Sequence, residues 1–207
     1  MKKIAIIGSG NVGGALAKKW IKAGHLILVG ARTPLSEKNL KLATEIGEDR
    51  FTSIESAVKQ CDIILISTPA PSTVEVIKSL GYTSGKIIID AMNIVMGRGP
   101  LGYNSTTAAI LDYTATRDVV KCFNTTGFNN LLNPQYDNIA LDMFVAGDSE
   151  KGKAAVIELA VDAGFAACYP IGGNDKFELM EQFAWFWINL AMFQGQGREI
   201  GFKLLKR

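Results

Sequence analysis

Residues 4–17 read IAIIGSGNVGGALA. A short apolar run stops at a cluster of glycines. Val12, Leu16, Trp20 and Ala23 then recur on one helical stripe, with Lys18, Lys19 and Lys22 off it, and Gly24 closes the pattern. This is a strand buried on both faces, a tight turn and an amphipathic helix, the opening of a βαβ unit. Gly8, Gly10 and Gly13 fit G-x-G-x-x-G. In that spacing the first glycine allows the turn, the second lets backbone approach a pyrophosphate, and the third lets the helix pack on the strand. The helix N-terminus then offers unpaired N–H groups to phosphate. The motif alone is weak, and a ligand-free glycine turn is its bland reading. Its place between a strand and a helix makes it strong evidence for a dinucleotide site.

The second strand, LILVG at 26–30, is followed by Ala31, Arg32 and Thr33, with Ser36 and Lys38 just beyond. An NAD site places Asp or Glu at this strand end for the ribose 2′-hydroxyl. No carboxylate stands here before Glu37. A guanidinium pairs with a 2′-phosphate through two parallel bonds, so NADP(H) is the expected cofactor.

Outward from this unit, strand and helix signals alternate. A helix is expected from Ser36 to Ile46. DIILIS (62–67) and KIIID (86–90) read as buried strands, and DVVKCF (118–123), LDMFVAG (141–147) and FAACYP (165–170) as further ones. Ser72 and Glu75 fit a capping box for a helix to about Leu80. Thr106–Tyr113 reads as a helix, and Asp148 as the cap of one reaching Ala163. Asp175 and Glu178 fit a second capping box, opening a long apolar helix to about Phe193 that is expected to be buried on most sides. The Asn-rich stretch 127–138 reads as a loop. The fold expected is an α/β, Rossmann-type, doubly wound and mostly parallel sheet with a C-terminal α/β extension and a long apolar C-terminal helix. A soft boundary near 116 divides an NADP-binding part, 1–116, from a smaller part, 117–207, extending the same sheet.

Ligands of such sheets lie beyond the carboxyl ends of the strands. The groups expected there are Ser9, Arg32, then Ser67, Thr68, Pro69 and Ala70, then Met92 and Asn93, then Asn124, Thr125 and Thr126. They are small, neutral or amide-bearing, suited to orienting rings and poorly suited to moving protons at neutral pH. The single histidine, His25, enters the second strand at the far end of the sheet. Lys121, inside the VVKCFN strand, is the one candidate base, and Asp90 sits similarly in its own strand. This set suits hydride transfer between two bound rings, where alignment supplies most of the rate.

Composition narrows the partners. The 207 residues carry a formal charge of +2, are 48% hydrophobic and 20% charged, and show no basic block, which argues against nucleic-acid binding. Cys61, Cys122 and Cys168 are far apart and in no CxxC spacing, which argues against a metal site and fits a reducing cytosol. MKKIAII is too short before its glycines for a signal peptide, and LMEQFAWFWINLAMF is too short and polar to span a bilayer. The expectation is a cytoplasmic protein away from membranes.

GSGNVGGALAKKWIKAGHLILVGART, DIILISTP, KCFNTTGFNNLLNPQY, FVAGD and the ending GREIGFKLLKR together resemble the NADP oxidoreductases that depend on coenzyme F-420, a deazaflavin. The reductase domain of the six-transmembrane metalloreductases is a more distant likeness. The resemblance implies a compact α/β subunit, often a homodimer, passing hydride between NADPH and a small-molecule electron acceptor, a deazaflavin or a flavin-like ring. It implies that Gly8, Ser9, Gly10, Asn11 and Val12 hold the pyrophosphate, that Arg32 and Thr33 hold the 2′-phosphate, and that Thr68, Pro69, Asn93 and Asn124 border the nicotinamide. Ala31 stands where the family often has Ser, and Ala70-Pro71 where it often has an aromatic. Two other readings stay open: an NADP-dependent imine or keto-acid reductase using Lys121, and a non-catalytic NADP(H) sensor.

Overall fold

The computed structural model describes residues 1–207. Strand β1 (Lys3–Ile7) runs into helix α1 (Asn11–Lys22), followed by β2 (Leu26–Gly30), α2 (Glu37–Ile46), β3 (Phe51–Thr52) and α3 (Ile54–Gln60). Next come β4 (Ile63–Ile66), α4 (Thr73–Lys78), β5 (Ile87–Asp90), α5 (Thr106–Tyr113), β6 (Val119–Cys122) and α6 (Phe128–Leu132). A small hairpin, β7 (Gln135–Tyr136) and β8 (Ile139–Ala140), precedes β9 (Asp142–Ala146), α7 (Glu150–Asp162), β10 (Ala167–Pro170) and α8 (Phe177–Ile188).

Eight strands form one sheet in the order β10-β9-β6-β5-β4-β1-β2-β3. From β3 to β6 this is the 3-2-1-4-5-6 order of a dinucleotide-binding sheet. Every neighbouring pair is parallel except β6 and β9, where the chain adds a second parallel pair in the opposite sense. The sheet therefore runs unbroken through the region of residue 116.

The apolar runs fail to alternate because both faces of the sheet are covered. On β1, Ile4 and Ile6 pack into one buried cluster, with Trp20 and Leu16 of α1, Leu42 of α2 and Leu159 of α7. Ala5 and Ile7 point the other way, into a cluster with Ala57 of α3, Ile77 of α4 and Ile110 of α5. Trp20 also donates its indole N–H to the Leu159 carbonyl at 2.9 Å, joining α1 to α7 across the shared face.

Several expected helix starts differ. Ser72 makes no side-chain cap bond, because a 3-10 turn at Ala70–Ser72 leads straight into α4. The cap of α7 is Ser149, which accepts from Gly152 N–H, while Asp148 accepts from Asn174 N–H. A 3-10 turn at Asn174–Lys176 likewise replaces the capping box expected before α8. The long C-terminal helix is twelve α-helical residues followed by a π-helical turn, Asn189–Phe193. It is buried on one side only. Phe177, Met180, Ala184 and Trp187 face inward, whereas Trp185, Phe186, Met192 and Phe193 are exposed.

The final residues are tied back to the sheet. Asp142, at the start of β9, accepts from Leu204 N–H and Lys203 Nζ, both at 2.8 Å. The Ile200 carbonyl accepts from Trp187 Nε1 and Asn130 Nδ2. Gly201 packs closely on Leu141: a Cβ there would stand 2.2 Å from Leu141 Cδ1, so that side chain would have to shift.

Candidate functional site

The strand order reverses between β2 and β4, on either side of β1. At the carboxyl ends of these strands lies a cleft of about 550 Å³. The loop after β1 forms its floor, the β2–α2 connection one wall, and the loop after β4 with α4 the other. Gly8, Ser9, Gly10, Asn11, Val12, Arg32, Thr33, Ser67, Thr68 and Pro69 all line it.

The glycines divide into two kinds. Gly8 has φ +114°, and a Cβ there would meet the Ser67 carbonyl oxygen at 2.7 Å; a Cβ on Gly13 would lie 1.9 Å from the Gly8 carbonyl oxygen. Both are required by the fold. A Cβ on Gly10 would meet no protein atom within 4 Å, and Gly10 has an ordinary φ of −72°. Only the space of the cleft lies before it. The backbone at Gly10 is open to approach, and the N-terminus of α1 directly beyond it can accept an anion such as a pyrophosphate.

The wall after β2 carries groups that can hold an anion. Arg32 and Thr33 stand beside Ser36 and Lys38 at the N-terminus of α2, and the Ser36 side chain makes no cap bond. Asn39, only 4% exposed, holds this wall together. Its Nδ2 donates to the carbonyls of Thr33 and Pro34 at 3.0 and 2.8 Å, and its Oδ1 accepts from Ser9 Oγ. One buried amide thus links the pyrophosphate loop to the Arg32 loop. Nothing in the local pattern singles out Asn39, which lies 30 residues from Ser9.

Opposite Arg32 stands a carboxylate. Arg32 Nη1 donates to Glu75 Oε1 at 3.1 Å. Glu75 is the residue expected to cap α4; with that box unformed, its side chain reaches into the cleft. Ile54, Ser72, Val76 and Ser79 complete this apolar-to-polar end.

Asn93 and Asn124 stand outside the cleft lining, at the ends of β5 and β6. They bond to each other: Asn93 Nδ2 donates to the Asn124 carbonyl at 2.8 Å, and Asn124 Nδ2 donates to Asn93 Oδ1 at 2.9 Å. Thr68 leans toward them, its hydroxyl 3.4 Å from Met92 Sδ. Asn124 is 3% exposed, and its Oδ1 is a buried acceptor with no partner. Phe123 just before it has φ +62°, a costly conformation for a bulky residue. That turn sends the Phe123 ring into the core against Trp20, with centroids 5.6 Å apart, and leaves Asn124 at the strand end.

Lys121 lies beneath this edge, fully buried. Its Nζ contacts Asp90 Oδ2 and Glu181 Oε1, both at 2.9 Å, the Met92 carbonyl at 3.0 Å and Thr106 Oγ1 at 3.1 Å. Asp90 also accepts from Thr106 and Thr107 hydroxyls and Met92 N–H, and Glu181 accepts from Ile94 N–H. Burial pulls the Lys121 ammonium toward neutrality, but Asp90 and Glu181 outweigh it and hold its pKa above the ordinary lysine value. The cluster fixes the backbone of Met92 and Ile94, on either side of Asn93. His25 sits at the other end of the sheet, where Nδ1 accepts from Lys2 N–H and Nε2 meets Asp162.

Residues 3–94 match the family model described as NADP oxidoreductase, coenzyme F-420-dependent. The matched segment builds the whole cleft, and the match supports the NADP-dependent oxidoreductase class and the cofactor NADP(H). A candidate F-420-dependent NADP-reductase from Arthrobacter sp. FB24 shares the fold over all of both chains, at 22% identity and a TM-score of 0.86. A hypothetical protein from Sinorhizobium meliloti is similar over all of this chain and 97% of its own, at 24% identity and a TM-score of 0.72. A reductive aminase from Aspergillus terreus, solved with NADPH and ethyl levulinate, is similar over 94% of this chain and 63% of its own, at 17% identity and a TM-score of 0.65. Among curated proteins, erythronate-4-phosphate dehydrogenase from Proteus mirabilis is 28% identical over 55% of this chain and 27% of its own length. The chain thus spans about a quarter or less of the curated relatives it matches.

Proposed function

We propose that the protein is an NADP(H)-dependent oxidoreductase that passes hydride between the nicotinamide and a flat ring acceptor, a deazaflavin or a flavin-like ring. The observation that carries the cofactor is the pairing of Gly10, which leaves open space at the N-terminus of α1 on the cleft, with Arg32, Thr33 and Ser36 where an NAD site keeps a carboxylate. The bound cofactor would supply the hydride. The chain's part is to bind and align: the Gly8–Val12 loop takes the pyrophosphate, Thr68 and Pro69 continue the track, and Asn93 and Asn124 hold the nicotinamide end.

The ring acceptor is favoured over an imine or keto acid by what surrounds Lys121. An acceptor carbonyl or imine needs a placed proton donor. Lys121 is fully buried, its three donors already engaged by Asp90, the Met92 carbonyl and the Thr106 hydroxyl, with Glu181 paired beside them.

The exposed face formed by Trp185, Phe186, Met192 and Phe193 supports a homodimer. No helix is long and apolar enough to cross a membrane. Three buried free thiols are compatible with the cytoplasm.

The test follows NADPH absorbance after adding a deazaflavin, FMN, FAD, a quinone, or a cyclic imine. Oxidation with one of the flat rings and none with the imine is expected. Turnover with the imine alone contradicts the ring reading, and tight NADPH binding without turnover by any acceptor favours a sensor.

A further inference from the structure

The cleft that fits a phosphorylated nucleotide holds an anion of its own. Glu75 on α4 reaches across the adenosine end to Arg32, Oε1 to Nη1 at 3.1 Å. Both side chains are open to water, 81% for Arg32 and 68% for Glu75, so neither is locked into the pair by burial. A guanidinium has five N–H donors, and this contact occupies one of its terminal nitrogens. The remaining donors can serve a 2′-phosphate only with the Glu75 carboxylate as a near neighbour, or after the pair opens.

We propose that Glu75 is a specificity-determining residue of the adenosine end, an internal competitor for Arg32 that selectively weakens the hold on a 2′-phosphorylated adenine nucleotide. The inference rests on the NADP(H) reading above. A ligand with a bare 2′-hydroxyl leaves the Arg32–Glu75 pair intact and meets no added repulsion. A ligand with a 2′-phosphate must share or displace the carboxylate and then sits beside a like charge. Glu75 therefore lowers the discrimination that Arg32, Thr33 and Ser36 would otherwise give.

The experiment titrates the whole protein calorimetrically with adenosine 2′,5′-bisphosphate and with AMP, neither of which carries a nicotinamide. Wild type, Glu75→Gln, Arg32→Gln and the double variant are compared at low and high salt. Glu75→Gln keeps the shape and removes the charge at an exposed position, so folding is not at issue. The expected result is a bisphosphate affinity raised about three- to tenfold at low salt, less at high salt, with AMP unchanged. The gain should vanish when Arg32 is also replaced.

Bisphosphate binding that is unchanged or weaker in Glu75→Gln, while wild type still prefers bisphosphate to AMP, overturns the competition and leaves the cofactor reading standing. A gain that persists without Arg32 overturns the route through Arg32. Equal binding of the two nucleotides in wild type and in Glu75→Gln alike overturns the cofactor reading itself, and this inference with it.

Discussion

Gly10 and Gly13 stand three residues apart in one motif and serve different masters. Gly13 is required by the protein, because its Cβ would overlap the Gly8 carbonyl. Gly10 is surrounded by no protein atom that a Cβ would touch. We expect Gly13→Ala to lower stability by several kcal/mol in chemical denaturation. Gly10→Ala should melt within a degree or two of wild type yet lose NADPH affinity at least tenfold. Equal losses of stability in both variants would mean that Gly10 is structural too. Arg32 makes the second prediction at this scale. Replacing it with Gln removes a charge-assisted pair with phosphate, typically about 1.5–3 kcal/mol, or roughly ten- to a hundredfold in NADPH affinity, with NADH little changed. These positions were legible in the sequence because the motif is local. Asn39 and Glu75 were not. Asn39 acts on Ser9 across 30 residues, and Glu75 on Arg32 across 43. For Glu75, the local capping pattern pointed elsewhere.

Elements are held by groups that pattern reading scores poorly. The α8 helix is anchored by Glu181, which meets Lys121 of β6 and, through it, Asp90 of β5. Two carboxylates share one buried ammonium. Lys121→Met should therefore cost about 3–5 kcal/mol in denaturant unfolding, because both acids lose their counter-charge. The pH dependence has a definite sign. With its folded pKa raised, Lys121 contributes stability that is fully present below the ordinary lysine value of 10.5 and is lost only as pH climbs through the higher folded value. Unfolding measured from pH 6 to 9 should show no loss from this group. A cap test separates the expected helix starts from those observed. Ser149 accepts from Gly152 N–H at 2.8 Å, so Ser149→Ala should cost about 1 kcal/mol. Ser72→Ala should cost markedly less, since its side chain makes no cap bond. The longer helices and strands were readable from apolar periodicity, whereas β3, α3, α6 and the β7–β8 hairpin were too short to show it, and 127–138, read as a loop, holds α6 and β7. The cap residues were not readable either, because 3-10 turns before α4 and α8 carry the chain into the helix without a side-chain acceptor.

For the whole molecule, the alternation of strands and helices was enough to expect a doubly wound parallel sheet, and residues such as Ile4 and Ala5 facing opposite buried clusters explain why it was. The antiparallel join of β6 to β9 was beyond that reading, since direction is set by the path of α6 and the β7–β8 hairpin, in a stretch that reads as loop. Nor could periodicity show that α8 keeps an exposed aromatic face, because its apolar residues run nearly all round it. The architecture places one charged cradle and one glycine floor at the same strand edge, and the cofactor assignment follows from their sharing a cleft. Sedimentation of the Phe186→Glu variant beside wild type tests whether that aromatic face joins two copies; a dimeric wild type and a monomeric variant are expected.

The assignment of NADP(H) to the cleft is tested most directly by calorimetric titration of the wild-type protein with NADPH and NADH under one buffer and salt. The account predicts NADPH binding at least about tenfold tighter, from the charge-assisted bonds that only the 2′-phosphate can make. NADH binding as tightly as NADPH, or more tightly, would contradict it and reduce Arg32 to a surface charge paired with Glu75.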